Sequence, residues 1–229
     1  MKKLINPILA AMLVSVSLPY ALAAGMKPET TVLFIDDENR EATINIENTD
    51  SYSALLHSSL QTIPEDRNNK LIITPQLARV EAGKKRQVRV VLKNGVTVTR
   101  QTMQRINFIS VPPEDGLKNR MRVLVGQNIP VIISPAKLPE NVTPWKGIKA
   151  ECAGLTLKVS NPTDYVVRLT NQIDLLPGNK SISLPKTYIL PQETLRLPLP
   201  KGRACSARAI RLHPVTRFGI LTMPYEVAL

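Results

Sequence analysis

Histidine is almost missing from this chain of 229 residues, which carries only His57 and His213. The two fall in segments that read as different domains, so a nucleophile, a base and a group to orient the base are not brought together around either. Cysteine is as scarce, with Cys152 and Cys205 alone, and if the two are joined neither is available as a nucleophile or metal ligand. Aromatic residues make up 4% of the chain and Trp145 is its single tryptophan, so a sugar-stacking platform is poorly supplied. Trp145 reads as packing of the second half. No H-E-x-x-H, G-x-S-x-G, phosphate-cradling glycine loop or calcium loop occurs, and Asp36, Asp37 and Glu38 read as a solvated turn. No enzyme, no cofactor and no metal are expected. Beyond the first residues, no apolar run approaches the roughly 18 needed for a membrane helix.

What is present begins with an export signal. Lys2 and Lys3 precede the apolar stretch Ile8 to Leu18, and Ala21-Leu22-Ala23 supplies a small-residue cleavage site, so residues 1–23 read as a signal peptide. Thirty basic residues oppose 18 acidic ones, and removal of Lys2 and Lys3 leaves a net charge of +10. Such a charge favours acidic partners or serves solubility. Export removes the opportunity for nucleic acid, and no finger or recognition-helix motif is present. An oxidising compartment permits a disulfide between Cys152 and Cys205, whose 53-residue separation corresponds to about 4 kcal/mol of chain entropy. Two buried thiols are the alternative.

Helical periodicity is nearly absent, and short Val, Ile, Leu and Thr runs recur between Pro, Asn, Asp and Gly clusters. Strands are expected at Thr31–Ile35, Ala42–Glu47, Ala54–Thr62, Gln87–Leu92, Arg105–Val111 and Met121–Ile133. The second half should supply Leu155–Ser160, Val166–Gln172, Lys186–Leu190, Thr194–Leu197, Ala207–Leu212 and Gly219–Tyr225. This spacing, in about 206 mature residues, predicts an all-β protein of two immunoglobulin-like β-sandwich domains. The segment Ser134-Pro135-Ala136-Lys137-Leu138-Pro139 reads as the connector, which places the domains at 24–134 and 135–229.

Three segments resemble the PapD-like periplasmic pilus chaperones. Thr74-Pro75-Gln76-Leu77-Ala78-Arg79-Val80-Glu81-Ala82-Gly83, with Gln87-Val88-Arg89-Val90 after it, is similar to the family's T-P-P-x-x-R-L-x-P-G and V-R-L strand. Pro75 should end a strand, Gly83 should permit a turn, and Val88, Val90 and Leu92 should face inward. Arg105-Ile106-Asn107-Phe108-Ile109-Ser110-Val111-Pro112-Pro113 resembles the strand ending F-N-x-x-x-I-P-P. Asn161-Pro162-Thr163-Asp164-Tyr165-Val166-Val167 resembles the second-domain N-P-T-x-Y-x-V turn and strand.

The resemblance implies a periplasmic chaperone that stabilises pilus subunits by donor-strand complementation and hands them to an outer-membrane usher. Met121, Val123 and Val125 fall at the donated positions and, by alternation, on one face. The compact stretch from Pro113 to Arg120 resembles the short-loop branch. Uncovered, such a strand also offers a surface for self-association. The family's two carboxylate-holding cations align with Thr31 and Pro130, and its interdomain ion network aligns with Ser110, Ser134 and Arg217. A relocated anchor is therefore expected, with Arg105 and Arg122 as candidates. A fimbrial structural subunit and a secreted glycan-binding sandwich are the other readings, although Gly25-Met26-Lys27-Pro28-Glu29 offers no alternating donor segment.

Overall fold

The computed structural model describes residues 25–113, 124–199 and 207–229. The expected leader, Met121, Arg122, Val123 and Cys205 lie outside the described residues. The first half contains β1 (Met26–Pro28), β2 (Leu33–Asp36), β3 (Glu41–Asn48), β4 (Ala54–Gln61), β5 (Leu71–Thr74), β6 (Leu77–Val80), β7 (Lys85–Leu92), β8 (Thr102–Val111) and β9 (Gly126–Ser134). They form a four-stranded sheet, β1-β3-β7-β5, facing a five-stranded sheet, β2-β9-β8-β4-β6.

The alternation that predicts these strands is the alternation that builds the core. On β7, Val88, Val90 and Leu92 are buried, while Arg89 points out and its Nε donates to Glu41 on β3 at 2.8 Å. Thr74 ends β5 before Pro75, and Gly83 takes φ +68° in the turn before β7. Phe108 and Ile106 on β8 and Ile129, Val131 and Ile133 on β9 meet this layer from the other sheet. Each such side chain contributes about 1.5–3 kcal/mol of burial before its ordering cost.

The second half contains β10 (Lys149–Ala153), β11 (Thr156–Ser160), β12 (Val167–Arg168), β13 (Gln172–Leu176), β14 (Lys180–Ser183), β15 (Tyr188–Ile189), β16 (Thr194–Pro198), β17 (Ala209–Leu212) and β18 (Tyr225–Ala228). The sheets β10-β11-β16 and β14-β13-β17-β18 enclose a core that includes Trp145, Leu157, Leu169, Ile173, Ile210 and Leu212. The pair β12-β15 forms a separate ribbon. Asn161, fully buried in the Asn-Pro turn, donates from Nδ2 to the carbonyls of Tyr165, Ile189 and Leu190.

Three expected strands are placed differently. The run Val166–Gln172 is broken: β12 stops at Arg168, Leu169 bridges to Pro214, and the chain pairs again only in β13. The run Gly219–Tyr225 is mostly the arm of a turn in which Val215 bridges to Leu221, and β18 begins at Tyr225. Of the run Met121–Ile133, the described part is a strand only from Gly126, where β9 starts, and Leu124 and Val125 lie outside any strand.

A third apolar cluster joins the two halves. Val32, Ile63, Met103 and Ile132 from the first pack with Val166 and Tyr188 from the second. The continuous apolar run of β9 is thereby explained: Val131 and Ile133 face the first core, whereas Ile132 faces this junction. Polar contacts fix the register across it, because Gln101 donates its N–H to the Asp164 carbonyl at 2.9 Å and accepts the Val166 N–H at 2.8 Å. Arg217, on the turn after β17, pairs with Glu140 and lies 4.7 Å over the Phe34 ring.

Gly219 lets that turn approach the first half. It sits at φ +78°, and Thr31 Oγ1 donates to the neighbouring Phe218 carbonyl at 2.9 Å. A Cβ on Gly219 would overlap the Thr31 hydroxyl and lie 2.9 Å from Thr31 Cβ. Gly219→Ala should therefore cost about 1–3 kcal/mol in denaturant unfolding. Gly154→Ala, at φ +60° with open space around it, supplies the backbone-strain control and should cost less. Equal losses would show that the close approach to Thr31 contributes nothing.

Candidate functional site

β9 is half covered. Along one side it pairs antiparallel with β8 from Gly126 to Ile133. Along the other it pairs in parallel with β2, but only from Val131 to Ser134. Among the described residues, the stretch Gly126–Pro130 therefore has a neighbour on one side only. Gly126, Gln127 and Asn128 are exposed, and so are Leu124 and Val125, at 51% and 57%. An uncovered edge led by apolar side chains is the feature that monomeric sheet proteins ordinarily avoid.

The open edge runs into a cleft between the two halves. Its cavity of about 270 Å³ is lined by Thr31, Arg105, Asn128, Pro130, Arg168 and Tyr188, among others. Thr31 and Pro130 therefore do border this space, and neither brings a charge. Two guanidinium groups from elsewhere do. Arg105, on β8, donates from Nε to the Asn128 side chain and from Nη2 to the Asn128 carbonyl at 3.1 Å. Arg168, on β12, donates from Nη1 to the Thr216 carbonyl at 3.4 Å. Among the described residues neither forms an ion pair. Burial lowers the pKa of both, and the charge of Arg105 lowers that of Arg168 further.

One wall of the cleft is Tyr188, and it is held by an ionic cluster across the junction. Tyr188 Oη donates to Glu65 at 3.0 Å, Lys186 Nζ pairs with Glu65 and, at 2.6 Å, with Glu193, and the ammonium lies 4.6 Å from the Tyr188 ring centre. Burial and the bond to Glu65 push the Tyr188 phenol well above its ordinary value. Burial pulls the Glu65 carboxyl up, but hydrogen bonds from Lys186 and Tyr188 and the Lys186 charge outweigh it, and the net direction is down.

Of the residues singled out in the sequence, Arg105 and Val125 fall at this edge and cleft, while Arg122, Met121 and Val123 lie outside the described residues. Arg168 was missed: nothing in its local pattern distinguishes it from an exposed strand arginine. Ser110 instead donates to the buried Asp50 within the first half at 2.9 Å, and Ser134 accepts from Gln101 at 3.1 Å. Cys152 is disulfide-bonded. The histidines stay apart, with His57 exposed on β4 and His213 at 2.8 Å from Asp174. Among the described residues no group of three or more His, Cys, Asp or Glu could hold a metal ion.

Residues 25–139 match the family described as pili and flagellar-assembly chaperone, PapD N-terminal domain, and residues 143–225 match the pili assembly chaperone PapD C-terminal domain. The chain belongs to the PapD family of periplasmic fimbrial chaperones. It is 38% identical over 199 residues to the uncharacterized fimbrial chaperone YhcA of Escherichia coli K12, covering 86% of this chain and 88% of that one. It is 27% identical over 203 residues to the chaperone protein FocC of E. coli, covering 85% and 86%. The fold is similar to a chain in the complex of Salmonella enterica SafA pilin with the SafB chaperone, with a TM-score of 0.76, 24% identity and coverage of 91% and 98%. E. coli DraB is similar too, with a TM-score of 0.75, 20% identity and coverage of 90% and 99%. Chaperones of this family are not enzymes, and membership in a chaperone family displaces the structural-subunit and glycan-binding readings.

Proposed function

We propose that this chaperone captures pilus subunits in the periplasm by lending them the uncovered edge of β9 and the residues leading into it, and that it passes them to an outer-membrane usher. The observation that carries the reading is the one-sided pairing of Gly126–Pro130 in a sheet whose β9 is otherwise paired on both sides. A subunit with an open groove gains backbone partners along that edge and apolar side chains from Met121, Val123 and Val125. The SafA–SafB complex, which joins a pilin to a chaperone, supports a pilin as partner. Residues 24–134 form the subunit-binding domain and 135–229 the second domain, while residues 1–23 act as the leader. A Cys152–Cys205 bridge suits the oxidising compartment this implies.

The test is co-expression with the exported β-proteins encoded beside the chaperone, followed by affinity purification from the periplasm. A soluble one-to-one complex is expected, with the subunit lost to proteolysis or aggregation when the chaperone is absent. Subunit that accumulates intact without the chaperone, and does not co-purify with it, overturns the reading.

A further inference from the structure

We propose that the turn between β17 and β18 is a second docking surface, on which the body of the captured subunit rests the apolar rim of its groove. The inference rests on the capture of a chain along β9 and adds where the same partner touches the second domain. Phe218, Ile220, Leu221 and Met223 all belong to this turn; the least exposed, Leu221, is open at 62% and Met223 at 86%. Folding does not ask for them. The turn closes through Thr216, whose carbonyl accepts the Gly219 N–H at 2.9 Å and whose hydroxyl accepts the Ile220 N–H at 3.2 Å, and through Gly219 at φ +78°. None of these contacts uses an apolar side chain, so polar residues would serve the turn equally well. Four large apolar side chains left this open present on the order of 500 Å² to water, as much as the largest patch of an ordinary monomer and enough to mark an interaction site.

The size and place of the patch choose its occupant. A stable interface takes roughly 800 Å² from each partner, so the turn does not hold a second copy of the chain by itself and works as the extension of another contact. The contact it extends is the open edge of β9. A partner seated along Gly126–Pro130 runs up against Thr31, because β2 takes that side of β9 from Val131 onwards. The Thr31 hydroxyl is in turn bonded to the Phe218 carbonyl, so the partner that reaches Thr31 reaches the turn. An apolar groove filled by β9 keeps an uncovered rim on each side, and the turn covers the rim nearest Thr31. The surface is also fixed before anything binds. Arg217 lies 4.7 Å from the ring centre of Phe34 in the first domain and 5.6 Å from that of Phe218, and Arg168 donates to the Thr216 carbonyl at 3.4 Å. Apolar side chains on a turn braced in this way cost less to order on docking than those of a free loop.

Methionine supplies the probe. Beyond the leader the chain holds Met26, Met103, Met121 and Met223, of which Met26 and Met103 are buried and Met223 lies in the turn. With the methionine methyls isotope-labelled, broadening by a dissolved paramagnetic chelate is measured on the free chaperone and on its complex with the exported β-protein encoded beside it. In the free protein the Met223 methyl should broaden at low and high protein concentration alike, and that of Met26 should not. In the complex Met223 and Met121 should both be shielded, Met121 reporting the donated strand. Met223→Glu and Ile220→Glu should each weaken capture by roughly fivefold or more. Leu155→Glu, a control in the exposed turn between β10 and β11, should leave capture unchanged. All three variants should melt as wild type does, because each side chain replaced is exposed. Shielding of Met121 with Met223 as open as in the free chaperone overturns the docking surface and leaves capture by β9 standing, and so does wild-type capture by both turn variants. Shielding of Met223 without Met121 supports the surface and overturns the donated strand. Shielding of Met223 in the free chaperone as its concentration rises assigns the turn to a second copy and overturns the subunit as occupant, and the absence of any complex overturns surface and capture together.

Discussion

Val123→Glu will abolish recovery of subunit from the periplasm, and Val125→Glu will lower it by roughly tenfold or more, while both proteins unfold within about 0.5 kcal/mol of wild type. Val125 is 57% exposed, so a carboxylate there meets water in the free chaperone. The donor-strand proposal requires an extended chain, in which alternation would place Val123 on the face of Val125. On the proposed donor-strand capture that face would fill an apolar groove, where each valine would contribute about 1.5–3 kcal/mol before ordering costs. A glutamate removes that contribution and also has to be dehydrated without a partner. Thermal unfolding and subunit co-purification on the same preparations decide the matter. A folded Val123→Glu protein that still protects its subunit would falsify the donor-strand assignment, and a variant that does not fold would show that Val123 faces the core.

The parts of this molecule that the sequence made legible are those where one residue's role depends on its near neighbours. Val88, Val90 and Leu92 announce a half-buried strand because side chains alternate, and Gly83 announces a turn because few other residues accept its φ of +68°. The same local logic failed at Val166–Gln172, where tertiary pairing of Leu169 with Pro214 interrupts a run that is apolar enough to be a strand. The cleft was less legible still. Thr31 and Pro130 were recognisable as charges missing from an expected place, and Arg105 as a neighbour on the next strand. Arg168 acquires its meaning only when the second domain docks, and no spacing in the chain encodes that contact. The partnership of Glu65 with Lys186, 121 residues apart, is invisible for the same reason.

That partnership carries the other large effect: Lys186→Met should destabilise the protein by about 3–5 kcal/mol at neutral pH. The Lys186 side chain is only 13% exposed, between Glu65 and Glu193 at 30% and 21%. Removing its ammonium leaves two part-buried carboxylates facing one another, with Tyr188 hydrogen-bonded to one of them. The cost should fall on the junction, because Glu65 comes from the first domain and Lys186, Tyr188 and Glu193 from the second. The pH dependence has a defined sign. Glu65 titrates below its ordinary 4.5 in the folded protein, so its stabilisation is complete above that value and is lost as pH falls through the lower folded one. Without Lys186 the Glu65 carboxylate protonates more readily, so the deficit of Lys186→Met against wild type should be greatest above pH 4.5 and should shrink as the solution is acidified below it. Adding Glu65→Gln and Glu193→Gln removes the stranded charges and should restore most of the loss at neutral pH. Denaturant unfolding at several pH values, followed by a probe in each domain, measures all three expectations. Capture should weaken in Lys186→Met as well, because Tyr188, which this cluster holds in place, is a wall of the Arg105–Arg168 cleft. A variant as stable as wild type at neutral pH would mean that the apolar contacts of Val32, Ile63, Met103 and Ile132 with Val166 hold the domains unaided.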